Sequence, residues 1–237
     1  MKKYLLQLTI FMLFCASCAK AQTLGAGVSV DNQGNLVINA PLYIFDCYSE
    51  NTKLEKAPTS FNSEVYVSFY SNDEVDFPLK FNGEIKNGFL SLTINKPDEL
   101  KLYDAMNLWL ISESFFTNGA NVKIAELNLK IDNENDYYLI WLYPNRNVKI
   151  LQEPFLDIRS FFIDGDHYKF IYSFGEVNIS GKFYEPNKNW QDELNIHFKQ
   201  GWNIVSTRDY YDNTLKRDIL IMNSITLSKD AVWVLIK

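Results

Sequence analysis

Apolar and polar residues take turns along most of this chain. Val177, Ile179 and Phe183 alternate with Asn178, Ser180 and Lys182, and Gly181 keeps the register. Leu194, Ile196 and Phe198 alternate with Asn195, His197 and Lys199, after which Gln200-Gly201 turns the chain into Trp202–Val205. A period of two predicts strands with one buried and one wet face. The same pattern marks Val65, Val67 and Phe69, then Leu90, Leu92 and Ile94, then Leu127, Leu129 and Ile131. Tyr137–Tyr143 is apolar almost throughout, which predicts a central strand covered on both sides. Tyr168, Phe170, Tyr172 and Phe174 share one face, as a buried sheet face requires. Turn chemistry separates the runs: Asp31-Asn32-Gln33-Gly34-Asn35 predicts one hairpin and Lys86-Asn87-Gly88 another.

Pro97-Asp98-Glu99-Leu100 predicts the one helix, because proline suits a first turn and acids there oppose the helix dipole. Onward to Phe116 the chain reads equally as helix or strand. Arg208–Asp212 reads as a loop, and the last strands are expected at Ile219–Met222, Ile225–Leu227 and Ala231–Ile236. The fold class is all-β: an antiparallel β-sandwich or barrel-like domain with one short helix near residues 97–106. Residues 22–237 are expected to form one domain, with 97–120 as the place where a boundary would fall.

Composition sharpens this picture in two ways. Hydrophobic residues make up 47% of 237, enough for a large core, and aromatics at 15% favour pleated, half-buried surfaces. The net charge of −6 becomes −9 if Lys2, Lys3 and Lys20 leave with a cleaved leader. Such a chain is repelled by phosphate backbones, so nucleic acid is excluded as a partner. Met1–Ala21 reads as an export signal: Lys2 and Lys3, an apolar run from Leu5 to Phe14, and Ala19-Lys20-Ala21 before Gln22. Cys15-Ala16-Ser17-Cys18 also resembles a bacterial lipobox, which would make Cys18 a lipidated N-terminus and the membrane an anchor point through that lipid alone. Soluble and lipid-anchored forms stay open. Cys47 is left alone in the body, so the fold rests on its core and not on disulfides.

Catalytic constellations are sparse, and no cofactor is implied. Asp164, Asp166 and His167 are the one compact set of metal-ligand types, in a run that reads more simply as a polar turn. His197 alternates to the solvent side. Trp190 follows Pro186-Asn187-Lys188-Asn189 and is expected on a loop, and Tyr66 and Tyr70 lie opposite an apolar row; these three are the candidate ligand-binding aromatics. Trp141, Trp202 and Trp233 fall inside strands and read as structural.

Lys199-Gln200-Gly201-Trp202-Asn203, the Val232-Trp233-Val234 strand and the Gly83–Ile94 hairpin before Pro97-Asp98-Glu99-Leu100 resemble segments of exported proteins and lipoproteins of treponeme-type spirochaetes. The resemblance implies a β fold and an exported location: periplasmic, outer-membrane lipoprotein or secreted. The expectation is a non-enzymatic envelope or surface protein that binds a protein or glycan through loops and exposed aromatics. A carbohydrate-active hydrolase using Asp164 or Asp166, and a structural envelope component, are the alternatives.

Overall fold

The computed structural model describes residues 22–46, 53–69, 79–97, 102–108, 112–133, 136–144, 149–152, 161–164, 166–185 and 189–237. The leader with Cys18, and also Cys47 and Tyr70, lie outside the described residues. The first strands are β1 (Gln22–Gly25), β2 (Val28–Val30), β3 (Leu36–Phe45), β4 (Glu55–Lys56), β5 (Ser63–Phe69), β6 (Leu79–Lys86), β7 (Phe89–Ile94) and β8 (Tyr103–Asp104). A single helical turn, α1 (Ala105–Leu108), precedes β9 (Phe116–Asn118), β10 (Lys123–Asn133), β11 (Asp136–Tyr143), β12 (Lys149–Gln152) and β13 (Phe161–Asp164). The chain ends with β14 (His167–Ser173), β15 (Val177–Glu185), β16 (Trp190–Phe198), β17 (Gly201–Asp212), β18 (Arg217–Ser224) and β19 (Val232–Ile236).

Eight strands close a barrel in the order β3, β7, β6, β5, β10, β14, β11, β19. The ring shuts where β19 runs parallel beside the second half of β3, pairing Trp233 with Leu42 and Leu235 with Ile44. Alternation fills the interior: Leu36, Ile38, Ala40 and Leu42 from β3 meet Leu90, Leu92 and Ile94 from β7 and Leu127, Leu129 and Ile131 from β10. The opposite faces of three of these strands supply an outer cluster of Tyr43, Phe45, Tyr143, Val232 and Val234. Asn87 and Gly88 both take positive φ, 54° and 75°, which gives the β6–β7 hairpin a two-residue turn whose twist suits its strands.

β14 belongs to two sheets. Besides its place in the barrel it pairs along its whole length with β17, from His167↔Thr207 to Ser173↔Gly201. Beyond β17 lie β18, β16, β15 and β9. This second sheet covers its own core of Ile171, Val177, Ile179, Leu194, Ile196, Phe198, Val205 and Met222, with Ala105 and Ile124 against it. Leu194, Ile196 and Phe198 are buried and Asn195 and His197 exposed, as the alternation predicts.

Two hairpins are prised open by a later strand. β10 pairs with β11 from Leu129 to Asn133, but from Ile124 to Glu126 it pairs with β14 instead. β11 in turn meets β14 at Leu142↔Tyr168. Likewise β16 and β17, joined by the short turn at Lys199-Gln200, are separated by β18, which is parallel to one and antiparallel to the other.

Two sequence expectations need correction. Arg208–Asp212 is strand, the second half of β17, held by pairing with β18 although every side chain from Arg208 to Tyr211 is exposed. Ile225–Leu227 is not strand: Leu227 is apolar because it caps the barrel core, and the Ile225 amide donates to the Ile204 carbonyl. The one short α-helix is present as expected: α1 overlaps the end of the 97–106 window and is one turn long, while residues 98–101 lie outside the described residues. Tyr103 and Asp104, just before it, form an edge pairing with Lys123 and Ile124. Tyr137–Tyr143 is central, as expected, with Ile140 and Leu142 inside the barrel and Tyr143 in the outer cluster.

Candidate functional site

Where β14 parts β10 from β11 the barrel wall carries a cleft of about 240 Å³. Its position follows from the strand geometry: two diverging strands and a third entering at an angle cannot keep every side chain in contact. Strand alternation then decides the chemistry. Residues whose side chains point inward, Phe170 from β14 and Trp233 from β19, form an apolar floor with stacked rings, centroids 5.8 Å apart and 8° from parallel. Outward-facing positions supply a polar rim: Glu126 and Asn128 from β10, Trp141 from β11, His167 and Lys169 from β14, and Asp209 from β17.

Lys169 Nζ donates to Glu126 Oε1 at 2.8 Å, and with the Glu126 residue only 8% exposed this bond satisfies an otherwise desolvated carboxylate. His167 stacks on Trp141 at 4.8 Å and 21°. Burial, helped by the positive Lys169 beside it, pushes His167 down to about 4, so its imidazole is neutral at physiological pH. Asp209 is displaced the other way. Its side chain reaches solvent, but partial loss of hydration beside the cleft raises it most, Asp192 and Asp218 raise it further, and Lys169 offsets part of this. Asp192 and Asp209 sit in one row across β16, β18 and β17, each opposite Leu220.

Two buried hydroxyls stand beside the rim. Thr207, 2% exposed, is directly opposite His167 across the β14–β17 pair, and Ser68, 4% exposed, is opposite Asn128 across β5–β10. Neither hydroxyl has a hydrogen-bond partner among the described residues. A second, wider depression of about 570 Å³ lies between the β1–β2 turn and Lys229–Trp233. Lys229 and Asp230, both exposed, are its charged lining residues, whereas the seam gathers Glu126, Asn128, His167, Lys169 and Asp209, so the seam is the stronger candidate.

The residues singled out from sequence fall in different places. Of Asp164, Asp166 and His167, only His167 lines the cleft. Asp166 accepts from Arg208 Nε at 2.7 Å, and Asp164 ends β13 opposite Lys149. Trp190 is not on a loop. It opens β16, paired with Glu185 on one side and Asp218 on the other, and its indole N–H donates to Asp192 Oδ1 at 2.5 Å. The loop signal of the preceding residues ends one position earlier than the sequence suggests, because β18 extends the pairing to Trp190. Tyr66 is half-buried on β5 opposite Lys130, on the outer face that also carries Ser68. His197 is exposed, with Nδ1 2.8 Å from Asn178 Oδ1. Trp141, Lys169, Glu126 and Asp209 were not candidates on sequence grounds, since nothing in their local pattern tells that β10, β11, β14 and β17 meet at one gap. Comparison with protein-family models, with curated proteins and with solved structures finds no match to this chain.

Proposed function

We propose that this is an exported protein that binds a small ligand in the seam between β10, β11 and β14. The cleft itself carries the reading: it pairs an aromatic floor with a rim of polar groups, the combination that orients small molecules. Export rests on the leader, with its two lysines, apolar run and small residues before Gln22. Mass spectrometry of the mature chain isolated from its native cell tests this part. A free N-terminus at Gln22 or an acylated Cys18 is expected, and an intact Met1 overturns it.

Binding is tested by ligand-observed NMR with a panel of monosaccharides, amino acids, small amines and short carboxylates. Replacing Trp141 by Leu removes the ring at the rim, and at least one compound is expected to bind the native protein about tenfold more tightly than this variant, a difference of ~1.4 kcal/mol. If no compound distinguishes native protein from a variant with native circular dichroism, the seam is not the site. A hydrolase is the second reading, favoured by Asp209: a carboxyl that holds its proton more tightly than usual, beside a Lys169–Glu126 pair, is a disposition suited to general acid catalysis. Release of a hydrolysis product from a bound compound, lost in Asp209→Asn, decides for that reading.

A further inference from the structure

We infer that the seam cleft is built for a primary ammonium group carried on an apolar or aromatic body, an inference that rests on the cleft being the binding site. The polar atoms around the rim are dominated by acceptors. Glu126 and Asp209 present carboxylates and Asn128 an amide oxygen, and the hydroxyl of Thr207 is on the residue paired with His167 across β14–β17. Lys169 is the one cation lining the cleft among the described residues, and its ammonium is already bonded to Glu126. His167, held neutral by burial, adds no positive charge. The formal balance of the lining is therefore two carboxylates against one ammonium.

A ligand ammonium meets both deficits at once. It supplies one positive charge, and its three N–H donors suit oxygen acceptors that have none to spare for each other. An anion would face Asp209 and Glu126 directly. A neutral alcohol would satisfy one acceptor and leave the charge uncompensated. Thr207 is a second, independent indication. Its hydroxyl is buried on the same face of β17 as Asp209, two residues away, and lacks a partner among the described residues. Buried hydroxyls in that state are uncommon unless something outside the protein completes them. Phe170 and Trp233 close the cleft beneath an apolar body, and Trp141 offers a ring to the cation itself.

The test uses three probes of the same shape: phenethylamine, 2-phenylethanol and phenylacetate. Titrations by NMR or calorimetry at pH 7.5 are expected to show the amine binding at least about tenfold more tightly than either of the others. Asp209→Asn, which keeps shape and removes charge, is expected to abolish that preference. Thr207→Val removes a hydroxyl that the fold does not use. It is expected to leave thermal stability equal or higher while weakening the amine severalfold. Equal or tighter binding of phenylacetate or 2-phenylethanol overturns the ammonium assignment and leaves the cleft as a site of other chemistry. Amine binding that survives unchanged in both variants places it elsewhere and also overturns the assignment. If none of the three probes binds while another compound binds in a Trp141-dependent way, the assignment fails but the cleft does not. If nothing binds there, both fail.

Discussion

His167 gives the seam a signature in the pH dependence of folding. Its folded value, about 4, lies below the ordinary histidine value of 6.5. Between these values the unfolded chain takes up a proton that the folded chain refuses. Stability from this residue is therefore complete above pH 6.5 and is lost as pH falls towards 4. For a half-buried ring the loss at pH 4 is expected to be on the order of 2 kcal/mol, discounted for solvent screening. Urea midpoints at pH 7, 5 and 4 measure it, and His167→Gln is expected to flatten the slope across that window. The sequence placed His167 beside Asp164 and Asp166, its neighbours along the chain. The structure places it against Trp141 and Lys169, contacts set by strand pairing and by the i, i+2 face of β14. Local spacing shows the second of these and not the first, which is why Trp141 escaped notice while His167 did not.

Among elements, alternation was informative wherever one face is wet and the other dry. β16 and β7 follow it residue by residue. It failed for the far half of β17, where both faces are solvated and only hydrogen bonding to β18 keeps the strand extended. The Lys199–Asn203 turn shows how a short motif can close an element. The Asn203 side chain accepts from the Lys199 amide and donates to the carbonyls of Lys199 and Gly201, and Trp202 donates its indole N–H to the Gly34 carbonyl of the β2–β3 turn. Asn203→Ala is expected to cost about 1–2 kcal/mol in a thermal or urea melt, since several backbone groups lose their partner together. Gly181 has a different role from the register-keeping position read in the sequence. Its φ is +140°, and a Cβ there would come within 2.8 Å of Phe115 Cδ1. Gly181→Ala is therefore expected to destabilise by roughly 1–3 kcal/mol, through backbone strain and the displaced ring. An unchanged melting temperature would show that Phe115 moves aside freely.

For the whole molecule, β14 decides how the two sheets hold together. Phe170 enters the barrel core and its neighbour Ile171 the second core. A strand shared in this way couples the two bodies, so the described chain is expected to unfold in one step. Ile171→Ala, costing about 2–5 kcal/mol, is expected to lower the barrel's stability along with that of the second sheet. Amide exchange of Ile38 in the barrel and of Ile196 in the second sheet should then report the same opening free energy. Two distinct values would mean that the sheets melt separately. None of this coupling was legible beforehand. The four aromatics from Tyr168 to Phe174 announced a strand with a buried face, but the opposite face, carrying His167, Lys169 and Ile171, looked like an ordinary mixed surface.

The inserted strand also shapes the barrel itself. At one end of the ring β10 lies directly against β11, and at the other β14 stands between them. Girth grows with the number of staves, so this cask tapers, one hoop being wider than the other. Leu129, Ile131 and Ile140 fill the narrow hoop, with Tyr138 packed beside them. The broad one needs larger bungs, which is the office of the paired Phe170 and Trp233 rings.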